Sequence, residues 1–319
     1  VTPLLLSCFY LLLSLKGFGF SCCVSEVLFA EIVPQNPNST ELKDMGIALD
    51  QVFHPTDFSE GNQSAMAHAL RLAQLARGEF SVLHVTEPHT DVEWGAFPPV
   101  RKLLQQWGLL GEGAQHEDVS QLGLQVKKVV RSGKKVVPII SKYVADHEPD
   151  LIVLSTHQRK GMSRWLDATA EPIARSSHVA TLFVPRQVHG FISKETGKVL
   201  LKRILIPVHH TPMPQGAVEA AVRLAEICEC EEITFTTLFV GADGDQPSVD
   251  IPLKKGWQVE HLVKQGDVLE HILSCSEEQH ADLIVMATQG QSGFLDALRG
   301  STTEQVLQQA KCPLLAIPR

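Results

Sequence analysis

The sequence predicts an α/β protein built from two copies of one mostly parallel, doubly wound sheet domain. Three observations carry that expectation. Short continuous apolar runs, LIVLS, LIVMA, TLFVP and LLAIP, read as strands whose two faces are both covered by helices. Between such runs the apolar residues return at helical spacing, most clearly Ala65, Ala69, Leu72, Ala73 and Ala76 on one face. The whole strand-and-helix pattern then occurs a second time in the same order. Alternation of this kind implies right-handed crossovers, with ligands bound at the carboxyl ends of the strands.

Length and composition agree. A chain of 319 residues exceeds what one core usually serves, so two domains are expected. Hydrophobic residues at 44% and charged residues at 20% exclude collagenous, disordered and coiled-coil classes. The net charge of −8 provides no broad positive field, so nucleic acid is not expected as a partner. That charge is uneven: residues 1–44 carry −2, residues 45–190 carry 0 and residues 191–319 carry −6. Seven cysteines, three of them among the first 23 residues and none in 45–190, do not form a secreted disulfide framework.

Residues 1–44 are read as a leader outside either domain. Val1 to Leu15 is apolar and uncharged, but it is shorter than a bilayer span and has no basic residue before Lys16. Met45 stands directly ahead of the first strand, and translation from it would give 275 residues. A cytoplasmic protein without a membrane partner is the expectation.

The first copy is assigned to residues 45–190 and the second to 191–319. Asp150-Leu-Ile-Val153 and Asp282-Leu-Ile-Val285 lie 132 apart; Arg71-Leu-Ala73 and Arg223-Leu-Ala225 lie 152 apart; Leu124-Gln-Val126 and Trp257-Gln-Val259 lie 133 apart. Each copy reads as strand, helix, strand, variable segment, strand, helix, strand, loop, helix, strand. The strand ends Val85 and Val240 are 155 apart, so the second copy lacks 23 residues before its Asp-Leu-Ile-Val strand. In the first copy that segment holds Trp94, Phe97, Pro98, Pro99 and a helical run from Val100 to Trp107. It reads as an added helix, either a lid packed on the sheet or a surface for a partner or ligand.

The loop after the fourth strand of copy two runs Ala287-Thr-Gln-Gly290-Gln-Ser-Gly293 and on to Gly300-Ser301-Thr302-Thr303-Glu304. Ser301 and Glu304 have capping-box spacing, which places a helix N-terminus just after Gly300. Free backbone N–H groups, a positive helix end and glycines that admit close approach suit a phosphate group. The plainer reading is that such glycines only serve turns with positive φ. No Gly-Lys-Ser/Thr follows, so this is not a Walker loop.

Strand-Pro-x-Asp, Asp-Leu-Ile-Val, then Gly, nine residues and Gly-Ser before a helix, closing in Cys-Pro-Leu-Leu-Ala-Ile-Pro, resembles a tandem universal stress protein. The similarity covers about residues 45–186 and 199–319. What the resemblance implies is two Rossmann-like doubly wound five-stranded sheets of order 3-2-1-4-5, each dimerising through its last strand, here forming an intramolecular pseudo-dimer. Further homodimerisation stays open. Many members bind ATP or AMP, through Gly, two residues, Gly, nine residues and Gly-Ser/Thr.

Carried onto this chain, the resemblance puts the adenine-nucleotide site of copy two at Pro207, Val208, His209, Val240, Ala287, Gly290, Gly293, Gly300, Ser301 and Thr302. A degenerate site in copy one comprises Pro55, Thr56, Asp57, Val85 and Thr169. Each copy departs from the pattern. Copy two keeps Gly290, Gly300 and Ser301 but has Ala287 at the first glycine position and His209 where the family has an aspartate. Copy one keeps Asp57, yet Ser155, Gln158 and Ala168 replace the three glycines. Side chains there crowd a backbone that must touch phosphates, so any ATP or AMP is expected in copy two, with altered base and ribose preference.

Other groups have structural readings. His209 and His210, as neighbours, point apart and are not expected to share a metal. Cys228, Cys230, Cys275 and Cys312 read as packing residues without a second zinc-type pair. His54, His84 and His157 fall at strand ends or loops of copy one without a nucleophile signature and read as hydrogen-bonded groups. Lys127-Lys128 and Arg159-Lys160 read as solvated pairs, the latter on the ligand-side loop. No paired carboxylates, nucleophile elbow or metal cluster argues for turnover. A stress-response regulator without a catalytic residue is therefore expected, with a slow ATPase or phosphotransfer enzyme, and a protein that only binds other proteins, as alternatives.

Overall fold

Copy one folds as β1 (Gln51–Pro55), α1 (Gln63–Ala76), β2 (Glu79–Thr86), α2 (Val100–Gln106), α3 (His116–Gln121), β3 (Gln125–Ser132), α4 (Val136–His147), β4 (Leu151–Thr156) and β5 (Ala180–Pro185). Copy two follows as β6 (Arg203–Val208), α5 (Gln215–Ile227), β7 (Ile233–Val240), β8 (Trp257–Lys264), α6 (Val268–Glu278), β9 (Leu283–Thr288), α7 (Thr302–Gln309) and β10 (Leu314–Pro318). The computed structural model describes residues 47, 49–90, 95, 97–156, 173, 177–188, 190–288 and 302–318. The leader 1–44, His157, Gln158, Ala168, Thr169 and the glycine loop with Gly290, Gly293, Gly300 and Ser301 lie outside them.

The strands form a single ten-stranded sheet of order β3-β2-β1-β4-β5-β10-β9-β6-β7-β8. Each half has the order 3-2-1-4-5 with parallel pairing inside it. The halves meet at β5 and β10, which run antiparallel with Phe183 opposite Leu314 and Leu182 opposite Leu315. The two sheets expected from the sequence are therefore one. A final strand that is buried on both faces carries a free row of backbone groups, and pairing with its counterpart satisfies them.

Helices cover both faces. One core packs α1 and α5 on Val52, Phe80, Val153, Phe235 and Val285; the other packs α4, α6 and α7 on Phe53, Ile152, Phe183, Leu205 and Ile284. Ala65, Ala69, Leu72 and Ala73 are fully covered, as the helical spacing predicts. Free Cys228, Cys275 and Cys312 are buried, and burial pushes the thiols up, Cys312 to about 12. The repeated aspartates have a local task. Asp150 accepts the Gln51 N–H at 2.8 Å, and Asp282 accepts those of Lys202 and Arg203 at 2.7 and 2.9 Å, so each fastens the start of its copy's first strand.

The extra segment of copy one makes two short helices rather than one. Leu104 in α2 and Trp107 just after it are buried against the core; α3 is opened by Asp118 accepting the Gln115 N–H. In copy two the corresponding stretch between β7 and β8 has no helix. Residues 191–199, which precede β6, fold back onto copy one. There His68 Nε2 accepts the Ile192 N–H, Trp107 Nε1–H donates to the Lys194 carbonyl and Gln106 donates to that of Glu195. Among the described residues no helix is long and apolar enough to cross a membrane.

Candidate functional site

The carboxyl ends of the central strands in each copy face the position where a doubly wound sheet takes its ligand. In copy one, Pro55 ends β1 half-buried, Thr56 is buried and Asp57 projects into a closed network. Asp57 Oδ1 accepts the Ser59 N–H at 2.9 Å and the Asn62 side-chain amide, while Oδ2 lies 3.5 Å from Arg186. Arg186 follows β5 and donates from Nε to Ser155 Oγ at 2.8 Å; Ser155 in turn donates to the Gly61 carbonyl at 3.2 Å. Partial burial opposes the Asp57 charge, but the hydrogen bonds from Ser59, the Arg186 guanidinium and Asn62 outweigh it and hold the carboxyl below its ordinary range.

Aromatic groups complete this end. Phe58, at φ 61°, stacks on His84 with ring centroids 4.0 Å apart, and His84 donates from Nδ1 to the Thr56 carbonyl at 2.9 Å. Val85 follows on β2, half-buried. Beside the stack a cavity of about 410 Å³ is lined by Thr56, Phe58, Ser59, Asn62, Pro98 and Lys194. Below it His54 is fully buried on β1, with Nδ1–H donating to the Val153 carbonyl at 2.9 Å and Nε2 without a partner. Burial lowers its pKa to about 4, against the opposing effects of that bond and Asp57.

Copy two presents the same backbone positions with different chemistry. Strand pairing superposes Pro55 on Pro207, Asp57 on His209, Phe58 on His210, His84 on Phe239 and Ser155 on Ala287. Val208 is buried, while His209 and His210 are exposed. Their ring nitrogens take separate partners: His209 Nδ1 accepts the Thr211 N–H at 3.2 Å, and His210 Nε2 donates to the Asp245 carbonyl at 2.6 Å. His210 lies edge-on to Phe239 at 6.0 Å, so the imidazole–phenyl pair of copy one recurs with its members exchanged. Val240 and Ala287 are half-buried at the ends of β7 and β9, and Thr302 opens α7.

The clamp of copy one therefore has no acceptors in copy two, because Ala287 has no hydroxyl and His209 no carboxylate. The position matching Arg186 is Arg319, outside the described residues.

A model of the universal stress protein family matches residues 49–185 and 201–318, once for each copy. This chain belongs to the universal stress protein family. A universal stress protein of Methanocaldococcus jannaschii is 27% identical over 150 residues, which is 39% of this chain and 85% of that protein. A universal stress protein structure from Archaeoglobus fulgidus covers 85% of this chain and 99% of its own at 20% identity, with a TM-score of 0.56. A putative one from Pseudomonas aeruginosa covers 87% and 95% at 13% identity, with a TM-score of 0.51. These structural likenesses show the fold.

Within this universal stress protein the structure brings Pro55, Thr56, Asp57 and Val85 to one end of copy one, and Pro207, Val208, His209, Val240 and Ala287 to the matching end of copy two. Reading the sequence missed Arg186 and Asn62 as partners of Asp57, and Ser155 as a partner of Arg186. The one available signal was an arginine directly after TLFVP, in a copy that retains an aspartate and has lost its glycines.

Proposed function

We propose that this universal stress protein is an adenine-nucleotide-responsive regulator whose ATP or AMP site lies in copy two. The carrying observation is the unequal state of the two strand ends: the copy-one carboxylate is already engaged by Arg186, Asn62 and Ser59, whereas copy two has lost both acceptors of that clamp. The sequence from Gly290 to Ser301, ahead of α7, carries the glycine spacing that suits phosphate binding. His209 at the aspartate position weakens ribose selection, because it offers no carboxylate to the ribose hydroxyls. Turnover is not part of this reading, because the sequence shows no nucleophile elbow or paired-carboxylate pattern.

Titration of ATP, AMP and ADP by calorimetry against the whole chain tests the reading. Gly300→Trp is expected to reduce affinity at least a hundredfold, while Ala168→Trp in copy one leaves it unchanged. Equal binding by wild type and Gly300→Trp overturns the assignment. Steady-state phosphate release above the uncatalysed rate, removed by the same substitution, would make the protein an ATPase instead.

A further inference from the structure

Copy one carries a second cavity, which adjoins the strand-end stack through Phe97, edge-on to Phe58 at 5.1 Å. It measures about 750 Å³ and lies between α2, α3 and the start of β3, within the range of small-molecule sites. Its walls are apolar, with Phe97, Val100, Val119 and Leu124 among them, each no more than 7% exposed. Three cations converge on it, Arg101, Lys102 and Lys128, and none of the described residues lining it is acidic.

The cations lack the partners that surface lysines and arginines usually find. Among the described residues no carboxylate lies within ion-pair distance of any of the three. Lys128 lies 5.6 Å over the Phe97 ring, a contact that holds the ammonium above the apolar wall. Partial burial, and then the nearby Arg101 charge, push the Lys128 pKa down, so two like charges are kept close in a partly dry place. An anion bound there would relieve both effects.

The corresponding place in copy two has different chemistry: the cavity of about 460 Å³ beside Trp257 includes the carboxylates Glu226 and Glu229. Strand register matches Leu124 to Trp257 and Lys128 to His261. Trp257 packs on Phe235 at 5.1 Å, His261 is hydrogen-bonded to Thr237 at 2.7 Å, and the neighbouring Lys254 and Arg223 are both paired with Glu226. The cavity roofed by α2 and α3, with cations and no described carboxylate in its lining, thus belongs to copy one.

We infer that the cavity beneath α2 and α3 is a binding site for a small amphiphilic carboxylate, its apolar body against Phe97, Val100 and Leu124 and its charge between Lys128 and Arg101. A neutral molecule of the same shape would leave the cations unpaired, and a phosphate alone would leave the apolar walls uncovered. The site is separate from the nucleotide site proposed above.

Calorimetric titration of the full chain with decanoate, and with 1-decanol as its neutral counterpart, both below their aggregation limits, tests this. Decanoate is expected to bind at least tenfold more tightly than decanol, and saturating ATP should not change its affinity. Lys128→Gln and Arg101→Gln, both on partly or fully exposed side chains, should each weaken decanoate at least tenfold and leave decanol unaffected. Val126→Trp, filling the cavity, should abolish binding of both; circular dichroism confirms that each variant is folded. No binding of decanoate, equal affinity for decanoate and decanol, displacement by ATP, or insensitivity to Lys128→Gln would each overturn the proposal.

Discussion

The two copies share a backbone and differ in what stands on it. Copy one places polar and ionisable groups at positions that copy two fills with apolar ones: His54 corresponds to Ile206, His68 to Ala220 and Ser155 to Ala287. Copy one also ties its aspartate into an internal network, while copy two keeps a glycine loop without that aspartate. The lesson is that strand order and core are preserved by burial alone, leaving the strand ends free to diverge.

The largest expected consequence concerns acid. His54 and His68 are fully buried, and burial lowers both pKa values from 6.5 to about 4. His68 is fixed as the neutral form by geometry as well: Nδ1–H donates to the Ser64 carbonyl and Nε2 accepts from Ile192, so protonation breaks a bond. In the unfolded chain each takes up a proton near pH 6.5, and in the folded chain only near pH 4. Stability is therefore complete above about pH 6.5 and lost as pH falls towards 4, by up to about 3 kcal/mol for each histidine. Denaturant unfolding at pH 7 and pH 4.5 measures the loss. His54→Ile, which installs the copy-two residue, should remove about half of it; an unchanged pH slope would show that these histidines are not the source.

A smaller effect is expected at the Arg186 clamp. Arg186→Ala removes the guanidinium from Ser155 and Asp57, and about 2 kcal/mol of stability should go with it. The Asp57 carboxyl should titrate at higher pH, approaching the ordinary carboxylate range. Carboxyl-carbon NMR of wild type and variant reads that shift directly, and an Asp57 titration that does not move breaks the contrast drawn between the copies.

The smallest difference lies where the copies are most alike. Asp282 accepts the N–H groups of Lys202 and Arg203, and Asp150 that of Gln51, so Asp282→Ala and Asp150→Ala should each cost on the order of 1 kcal/mol. Thermal unfolding midpoints measure both losses, and an unchanged midpoint in either variant would mean that its carboxylate does not hold the strand.

Much of the architecture was legible because it is written in periodicity. LIVLS is buried along its length and LIVMA up to the half-buried Ala287, and the repeat offsets locate the added segment of copy one. The resemblance supplied the strand order and the edge through which the halves join. What escaped the reading depends on distance between remote residues. Arg186 looks like any arginine after a strand until the fold brings it beside Ser155 and Asp57. Lys128 reads as half of a solvated pair until α2 and α3 close over it. Helix α3 has only six residues, too few for a periodic signal, and the clasp of His68 on Ile192 joins groups 124 residues apart.

The antiparallel seam of β5 and β10 has an evolutionary consequence. In an assembly of two identical chains, symmetry writes every substitution into both sites at once, so a change that ruins one ligand pocket ruins its twin. Joining the two halves in one polypeptide breaks that identity while keeping each half beside its partner at any dilution. One half is then free to trade a pocket for an internal clamp and an extra pair of helices, because the other half no longer inherits the change.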